Sequence, residues 1–582
     1  MRLRRLVTPA ILLLIALNAW YYGVQVRRWA WDSTTDIRFT YDIENGWHWA
    51  GRAARVGIVP LYDHLLAKDG DEGNFGLDYL PIRLYIMTRW RQWARARFPH
   101  QTTWQNTWQF NAPLLWLNTF AIAATAVAVF FLVRLWRRRW VETGRPATAL
   151  PLPPGPARPP PKPIPLPAHV GCAAGMFAAI LVWFNPALIW ETHCWPQWDV
   201  WPLPFFAFAL LAVSCEGWIT AGVLVGVGAL TKGQLLLVAP LLAVFPLLLG
   251  KVSAAIRVLG GFALGTGVVL WAFLLREPAA WQWLVMYLLA MMCLVPWVRV
   301  RQSTWRALLV LTISSAAALG LIVAPWAWRH EGLTALGCAA YLASSALVAR
   351  RHGWRGLGAA FVTGLGLAIW LAGWQMNGSF SWLLVGWEYG TRHYAVLHMG
   401  PTANLAAVLG DRMGWQLNDP ACRFSLPAWL PWIGGHYAWP LRILLIRCYT
   451  LAFALCIIAA ARQFRARSPR FLVAAIAPWL LAYLLLPQMH ERYLIWAAGM
   501  TAVLAAFSPA YLLIHLALTA VAWALMALPM LASQPQFAPG WLKFIPQITP
   551  DVAWALFVIG AILLYQSFAG DHRNRPTKQP AR

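Results

Sequence analysis

The sequence predicts an all-α, polytopic membrane protein with about 12–16 transmembrane helices, each near the roughly 20 residues that a helix needs to cross a hydrocarbon core. Three observations carry that expectation. Of 582 residues, 60% are hydrophobic and only 12% are charged, against about a quarter charged in an ordinary soluble domain. The apolar residues fall in runs of span length, and a helix satisfies its own backbone groups inside lipid. The formal charge of +26 collects as Arg in short stretches between those runs, which reads as a topology signal rather than a nucleic-acid surface. The 39 Trp and 16 Tyr suit headgroup level, where an aromatic body with a polar tip is stable.

Taken in order, hydropathy places candidate spans at 7–24, 112–134, 168–184, 200–216, 218–231, 233–250, 254–275, 280–298, 307–327, 332–349, 356–374, 440–461, 471–487, 491–506, 509–532 and 551–569. The first follows Arg2, Arg4 and Arg5 and lacks a small-residue cleavage pattern, so it is expected to stay attached. With the N-terminus inside, Arg137, Arg138 and Arg139, then Arg299, Arg301 and Arg306, then Arg350, Arg351 and Arg355 all fall in the cytoplasm. Arg462, Arg465, Arg467 and Arg470 and the tail Arg573, Arg575, Lys578 and Arg582 join them. Arg27 and Arg28 run against this assignment, but they open a long loop of the kind that translocates largely regardless of charge.

The same reading divides the chain. Residues 1–136 hold two spans and a large extracytoplasmic loop at 25–111, and 137–168 form a Pro-rich cytoplasmic linker whose 151–167 stretch suits a polyproline II tether. Residues 169–374 form a transmembrane bundle, 375–439 a second extracytoplasmic loop, and 440–582 a C-terminal bundle with a basic tail. Gly222/Gly226 and Gly261/Gly265 are small-xxx-small pairs, expected to permit close helix packing. The short, Arg- and Ala-rich character points to a bacterial cytoplasmic (inner) membrane.

Polar residues gather in three places, all extracytoplasmic in this topology. The first loop carries Asp32, Asp36, Asp42, Glu44, Asp63, Asp69, Asp71, Glu72 and Asp78, nine of the chain's 21 acidic residues. Its stretch 81–98 interleaves Arg83, Arg89, Arg91, Arg95 and Arg97 with Leu84, Tyr85, Trp90 and Trp93, suiting a helix in the interface against anionic headgroups. The second place is 185–199, read as opening where a span ends, with Glu191, His193, Gln197 and Asp199; Lys232 and Gln234 lie in a turn on the same face. The third is Gln488-Met489-His490-Glu491-Arg492-Tyr493. Ionisable groups at membrane depth are costly and are default site candidates.

Such a set suits transfer of a group from an anionic lipid to a hydroxyl: a carboxylate accepts the proton while Lys232, His490 and Arg492 stabilise a departing phosphate. Each residue also has a plainer use. A loop Asp serves as a solvated residue or a helix cap, Glu491–Arg492 as an ion pair between helices, His193 as a packed core histidine, and Lys232 as a snorkelling side chain. The eight Cys form no C-x-x-C, and no nucleotide loop, metal-site spacing or Ser-His-Asp pattern is present. Cys194 and Cys422 fall on one side, which allows a disulfide in an oxidising compartment.

Leu77-Asp78-Tyr79-Leu80-Pro81-Ile82 resembles an LDYPPL motif, and Asn185-Pro186-Ala187-Leu188-Ile189 resembles NPxLI, with His193 and Gln197 in register with a following DHxHFQ. His490-Glu491-Arg492 resembles HEK, and Lys232 with Gln234 is similar to FKQ apart from the intervening Gly233. Together these resemble the motif set of the GT-C-type, polyprenyl-phosphate-sugar-dependent glycosyltransferases, above all the dolichol-pathway glucosyltransferases that extend lipid-linked oligosaccharide, and their bacterial relatives. Thr192 and Trp195 depart from that pattern. The resemblance implies a GT-C-type fold with interfacial helices in the first loop, and inverting transfer from a polyprenyl-phosphate sugar to a glycolipid or glycan acceptor. It implies Asp36 as the base with Asp42 as fallback, and His490, Arg492 and Lys232 facing the donor phosphate. Asp78, Tyr79, Glu191, His193, Gln197, Asp199, Gln234 and Glu491 would contact substrate. Membrane lipids are the expected surroundings, with no nucleic-acid partner and no obligatory cofactor; a need for divalent metal stays open. A transporter or lipid flippase is the alternative, and it predicts internal repeat symmetry that the sequence does not display. A membrane scaffold without activity would leave the three polar places unexplained.

Overall fold

The computed structural model describes residues 2–67, 77, 79–142, 171–293, 331–377, 396–426, 435–532 and 545–569. Among the described residues, eight helices are long and apolar enough to cross a membrane: Ala10–Ser33, Trp108–Val141, Cys172–Cys194, Val252–Leu274, Gly353–Met376, Leu441–Arg465, Pro509–Ala532 and Ile548–Phe568. Five shorter apolar helices accompany them, Pro202–Ser214, Trp218–Thr231, Gly233–Leu248, Ala279–Met291 and Arg470–Leu485. The chain is thus an all-α, polytopic integral membrane protein. Proline sets several of the short helices, since Pro202 and Pro240 stand at helix starts where their missing N–H costs nothing. The expected span at 307–327, the linker at 151–167 and the basic tail lie outside the described residues. The spans expected at 332–349 and 356–374 meet at Gly353, whose φ of 64° breaks the helix in the left-handed region that glycine enters without penalty.

The chain forms two compact units. The first comprises Met1–Leu132, Gly175–Ala395 and Met526–Ala538, and the second Val133–Ala174, Val396–Leu525 and Pro539–Arg582. In the first unit the two glycine pairs meet as expected. A Cβ on Gly222 would stand 2.1 Å from the Val258 carbonyl oxygen, one on Gly226 2.6 Å from that of Phe262, and one on Gly261 2.3 Å from that of Ile219. The helices Trp218–Thr231 and Val252–Leu274 therefore touch backbone to backbone, which only small residues allow.

Also in the first unit, the helices Tyr41–Val56 and Pro81–Arg97 pack through Trp47, Trp90 and Phe110, with Trp47 and Trp90 edge to face at 5.4 Å and the Trp90 indole donating to the Phe110 carbonyl. The stretch expected to face headgroups is a helix, with one correction. Arg83 is fully buried, because it shares the inner face with Met87, Trp90 and Ala94 at helical spacing.

In the second unit the helix Arg470–Leu485 is buried on nearly every side, enclosed by Leu441–Arg465, Leu494–Ala505 and Ile545–Phe568. A helix apolar all round belongs in such a position. The expected second loop is not wholly irregular: strands Pro420–Leu426 and Gly435–Pro440 pair antiparallel, with Phe424 stacked on its partner Tyr437.

Replacing Gly222 or Gly261 by Val is expected to lower stability by about 1–3 kcal/mol or more through overpacking, read as a fall in the thermal unfolding midpoint in detergent. Gly358→Ala, where a Cβ meets nothing within 4 Å, is the control and should leave the midpoint unchanged or slightly raised, since Ala favours a helix over Gly. Equal midpoints for all three variants would contradict the close helix contact.

Candidate functional site

In the first unit the site grows from a helix start. Asn185 accepts hydrogen bonds from the Ala187 and Leu188 amides at 3.0 and 3.2 Å, and Pro186 follows at the first helical position. The segment expected to open a loop here instead continues as helix, then widens into a π-turn over Trp190–Cys194. Such turns carry one extra residue per turn and recur at functional sites. Here it packs Glu191, Thr192 and His193 inward with no exposure, and Gln197 and Asp199 are equally buried in the turn that follows.

These side chains form one network. The Asp199 amide donates to Glu191 Oε1 at 2.9 Å, and the Asp199 carboxylate is ion-paired with Lys232. Lys232 ends the helix Trp218–Thr231 and its side chain is 2% exposed, so it does not snorkel to a surface. Arg83 lies over the Tyr79 ring at 3.0 Å and the Trp198 ring at 4.4 Å, and the Lys232 ammonium lies 5.8 Å from the same Tyr79 ring. The Gln197 amide nitrogen donates to the carboxylate of Asp42. Asp42 is half-buried in the first turn of the helix Tyr41–Val56. Asn118 fixes the backbone beneath, donating to the Thr192 and Gln197 carbonyls at 3.2 and 2.7 Å and accepting from the Trp201 indole at 2.7 Å.

His193 sits apart in role. The Thr192 hydroxyl donates to the Leu188 carbonyl at 2.6 Å and that of Thr119 to the Leu115 carbonyl at 2.8 Å. His193 Nδ1 lies 2.8 Å from the Thr192 hydroxyl and Nε2 3.4 Å from that of Thr119. With Trp108 stacked 6.0 Å away, the surroundings fit a satisfied core histidine. Asp36 is exposed in the turn after the helix Arg2–Ser33. Gln234 is half-buried in the tight turn Gly233–Leu237, and Asp78 lies outside the described residues. The sequence placed Arg83 among the headgroup-facing residues rather than in the site, and Asn118 was not singled out. The helical spacing of Arg83 with Met87, Trp90 and Ala94 was the available signal; for Asn118 there was none within its apolar run.

The His490-Glu491-Arg492 segment belongs to the second unit. It is stitched to the stretch at 397–402: the Gln488 amide donates to the Leu397 carbonyl at 2.8 Å, the Met399 amide to the Met489 carbonyl at 3.2 Å, and the Thr402 hydroxyl also to Met489 at 3.2 Å. Glu491 is buried, with Oε2 2.7 Å from His490 Nδ1. Gly400 makes this closure possible: its φ is 62°, and a Cβ there would stand 2.3 Å from Glu491 Oε2. Arg492 is buried beside Tyr493, 5.7 Å from the ring centroid. Nearby, His398 reaches the Asp411 carboxylate at 2.9 Å and the Gly400 carbonyl at 3.1 Å, a pair not singled out in the sequence.

Cys194 and Cys422 are both free thiols. Cys194 is buried in the π-turn, with its sulfur directed at the Ala30 carbonyl at 3.6 Å. Among the described residues no group of three or more His, Cys, Asp or Glu is placed to hold a metal ion. No protein-family model matches this chain, and no curated protein matches it.

A buried charge stripped of its partner is costly. Lys232→Met, which removes the cation paired with the buried Asp199 carboxylate, is expected to destabilise by about 3–5 kcal/mol. Adding Asp199→Asn should recover a substantial part of that loss. A double-mutant cycle of thermal midpoints in detergent checks this, and additive single effects would mean that the two side chains do not act as a pair.

Proposed function

We propose that this protein is an inverting membrane glycosyltransferase that moves one hexose or pentose from a polyprenyl-phosphate carrier to a hydroxyl of a glycolipid or other extracytoplasmic acceptor, with Asp42 as general base. The observation that carries the reading is the hydrogen bond from Gln197 to Asp42. It ties one carboxylate of the acidic loop to a buried network that already holds Lys232 and Arg83. The resemblance of the same stretches to GT-C-type motifs supports it independently.

In the proposed reaction the acceptor oxygen attacks the anomeric carbon as the bond from that carbon to the carrier phosphate breaks. The hydroxyl proton passes to Asp42, and the electron pair leaves on the phosphate. Cations held in a site shielded from water stabilise the departing phosphate more strongly than they would in bulk solvent. Lys232 and Arg83 are the candidates in the first unit. Asp42 is preferred to Asp36 as the base because a base must be held at a fixed place against its proton donor. Asp42 is half-buried and hydrogen-bonded, whereas Asp36 is exposed in a turn. A carrier with a polyprenyl tail also suits a chain with eight apolar helices of spanning length.

The test is transfer of radiolabelled sugar by purified protein, from a panel of short-chain polyprenyl-phosphate sugars to membrane-lipid acceptors. Asp42→Asn is expected to lower the rate by about 10²–10⁴-fold, the usual contribution of a general base, while Asp36→Asn stays near wild type. The reverse pattern would move the base to Asp36. Arg492→Gln in the same assay tests the phosphate-facing role that the resemblance gives the second unit, expected as a rise in KM for the donor. Folded wild-type protein that transfers nothing from any donor would overturn the reading in favour of a transporter or flippase.

A further inference from the structure

The helices Tyr41–Val56 and Pro81–Arg97 run side by side in the same direction. A Cβ on Gly46 would stand 3.1 Å from the Met87 side chain, and a Cβ on Gly51 2.3 Å from Arg91 Nη1. One further turn along each helix brings Arg55 and Arg95 to the next level of this register. Arg91 is fixed at the centre: Nη1 donates to the Trp47 carbonyl at 2.5 Å, and the guanidinium lies 4.4 Å from the Trp47 ring centroid. Burial pulls the Arg91 pKa down, and the charges of Arg95 and Arg55 pull it down further, which places three like charges within reach of one another.

Within these two helices no acidic residue follows Glu44. No Asp or Glu occurs between Glu44 and Asp63, or between Asp78 and Glu142. Arg55 and Arg95 are exposed and Arg91 is half-exposed. Cations in the last turn of a helix are favoured by its dipole, which accounts for Arg55 and Arg95 singly. It does not account for Arg91, a full turn earlier and seated where Gly51 leaves room. On the exposed side of the Pro81–Arg97 helix, Tyr85, Arg89 and Trp93 follow one another at four-residue steps, with Tyr85 49% and Trp93 40% exposed and Arg89 Nε 3.1 Å from the Tyr85 hydroxyl. Aromatic and cationic side chains presented together are the chemistry of headgroup level.

From this register we infer that Arg55, Arg91 and Arg95 form a cradle for the phosphate of an anionic glycerophospholipid of the surrounding bilayer. Guanidinium groups supply forked donors that fit phosphate oxygens two at a time, and the chain's apolar spanning helices hold it among such lipids. The inference is independent of the glycosyltransferase reading, since it concerns what the protein retains rather than what it transfers.

The test is native mass spectrometry of the full chain purified in mixed micelles of equimolar phosphatidylglycerol and phosphatidylcholine, scoring which lipid remains bound. Wild type is expected to retain phosphatidylglycerol preferentially. Arg55→Gln/Arg91→Gln/Arg95→Gln should lose that preference by about five-fold for each charge removed. Gly51→Ala keeps every charge but drives the Arg91 guanidinium from its seat, and it should weaken the preference several-fold while the protein still elutes and melts as wild type. Equal retention of the two lipids by wild type, or an undiminished preference in the triple variant, would overturn the cradle. So would a triple variant that loses the preference while Gly51→Ala keeps it, because that result assigns the effect to net charge alone. Displacement of the lipid by inorganic phosphate, with no lipid preference left, would overturn the lipid as occupant.

Discussion

Lys232 and Asp199 are both buried among apolar helices and are ion-paired with each other. Taking an ammonium and a carboxylate out of water costs several kcal/mol for each ion, and only close pairing with further hydrogen bonds offsets that cost. The surrounding structure supplies those bonds in sequence. Glu191 receives the Asp199 amide, Asn118 receives the Trp201 indole and holds the carbonyls of Thr192 and Gln197, and the π-turn at Trp190–Cys194 sets the spacing that lets Glu191 and Asp199 meet. A single network of this kind fixes the position of three helix ends at once. It also gives the half-buried Asp42 a fixed neighbour in Gln197.

Arginine is used here as an interior residue as much as a surface one. Arg27 is buried with its guanidinium 3.8 Å from the Trp183 ring centroid, donating to the Gly23 carbonyl at 2.9 Å and the Trp183 carbonyl at 2.8 Å. Arg38 lies over Trp31 at 3.6 Å and donates to Asn106 at 2.8 Å, and burial lowers its pKa to about 10. Arg83 lies over Tyr79 and Trp198. A delocalised, weakly hydrated cation on an aromatic face loses less on burial than an ammonium does. The abundance of Trp thus serves the interior as well as the headgroup level. Arg27, which runs against the inside-positive expectation, is sequestered by the protein, whereas Arg28 beside it is partly exposed and pairs with Asp32 at 2.8 Å.

The spans were legible because transfer of apolar surface from water is nearly independent of what covers it. Helices at Trp108–Glu142, Val252–Leu274, Leu441–Arg465 and Pro509–Ala532 coincide with runs that hydropathy alone marks. The glycine pairs were equally legible, since a missing Cβ in an apolar helix has few uses besides close approach. Of the site, the sequence marked Asp42, Glu191, Gln197, Asp199 and Lys232 as unusual because each is polar next to apolar spans. The resemblance places Asp36 ahead of Asp42 as base; in the structure Asp36 is exposed in a turn and Asp42 is half-buried and hydrogen-bonded.

What the sequence determined by itself was the class of molecule, the periodic pattern of its helices and the short list of polar residues that lipid would not tolerate unaccompanied. Those follow from local composition, because the cost of placing a group in lipid depends on the group. Only the tertiary structure decided the partners. It set Asp199 on Lys232 and Gln197 on Asp42, turned Arg83 inward, kept Cys194 and Cys422 as free thiols and closed Glu491 over Gly400. These depend on directional contacts between residues distant in the chain, and no local pattern encodes the distance between two side chains that meet only when their helices pack.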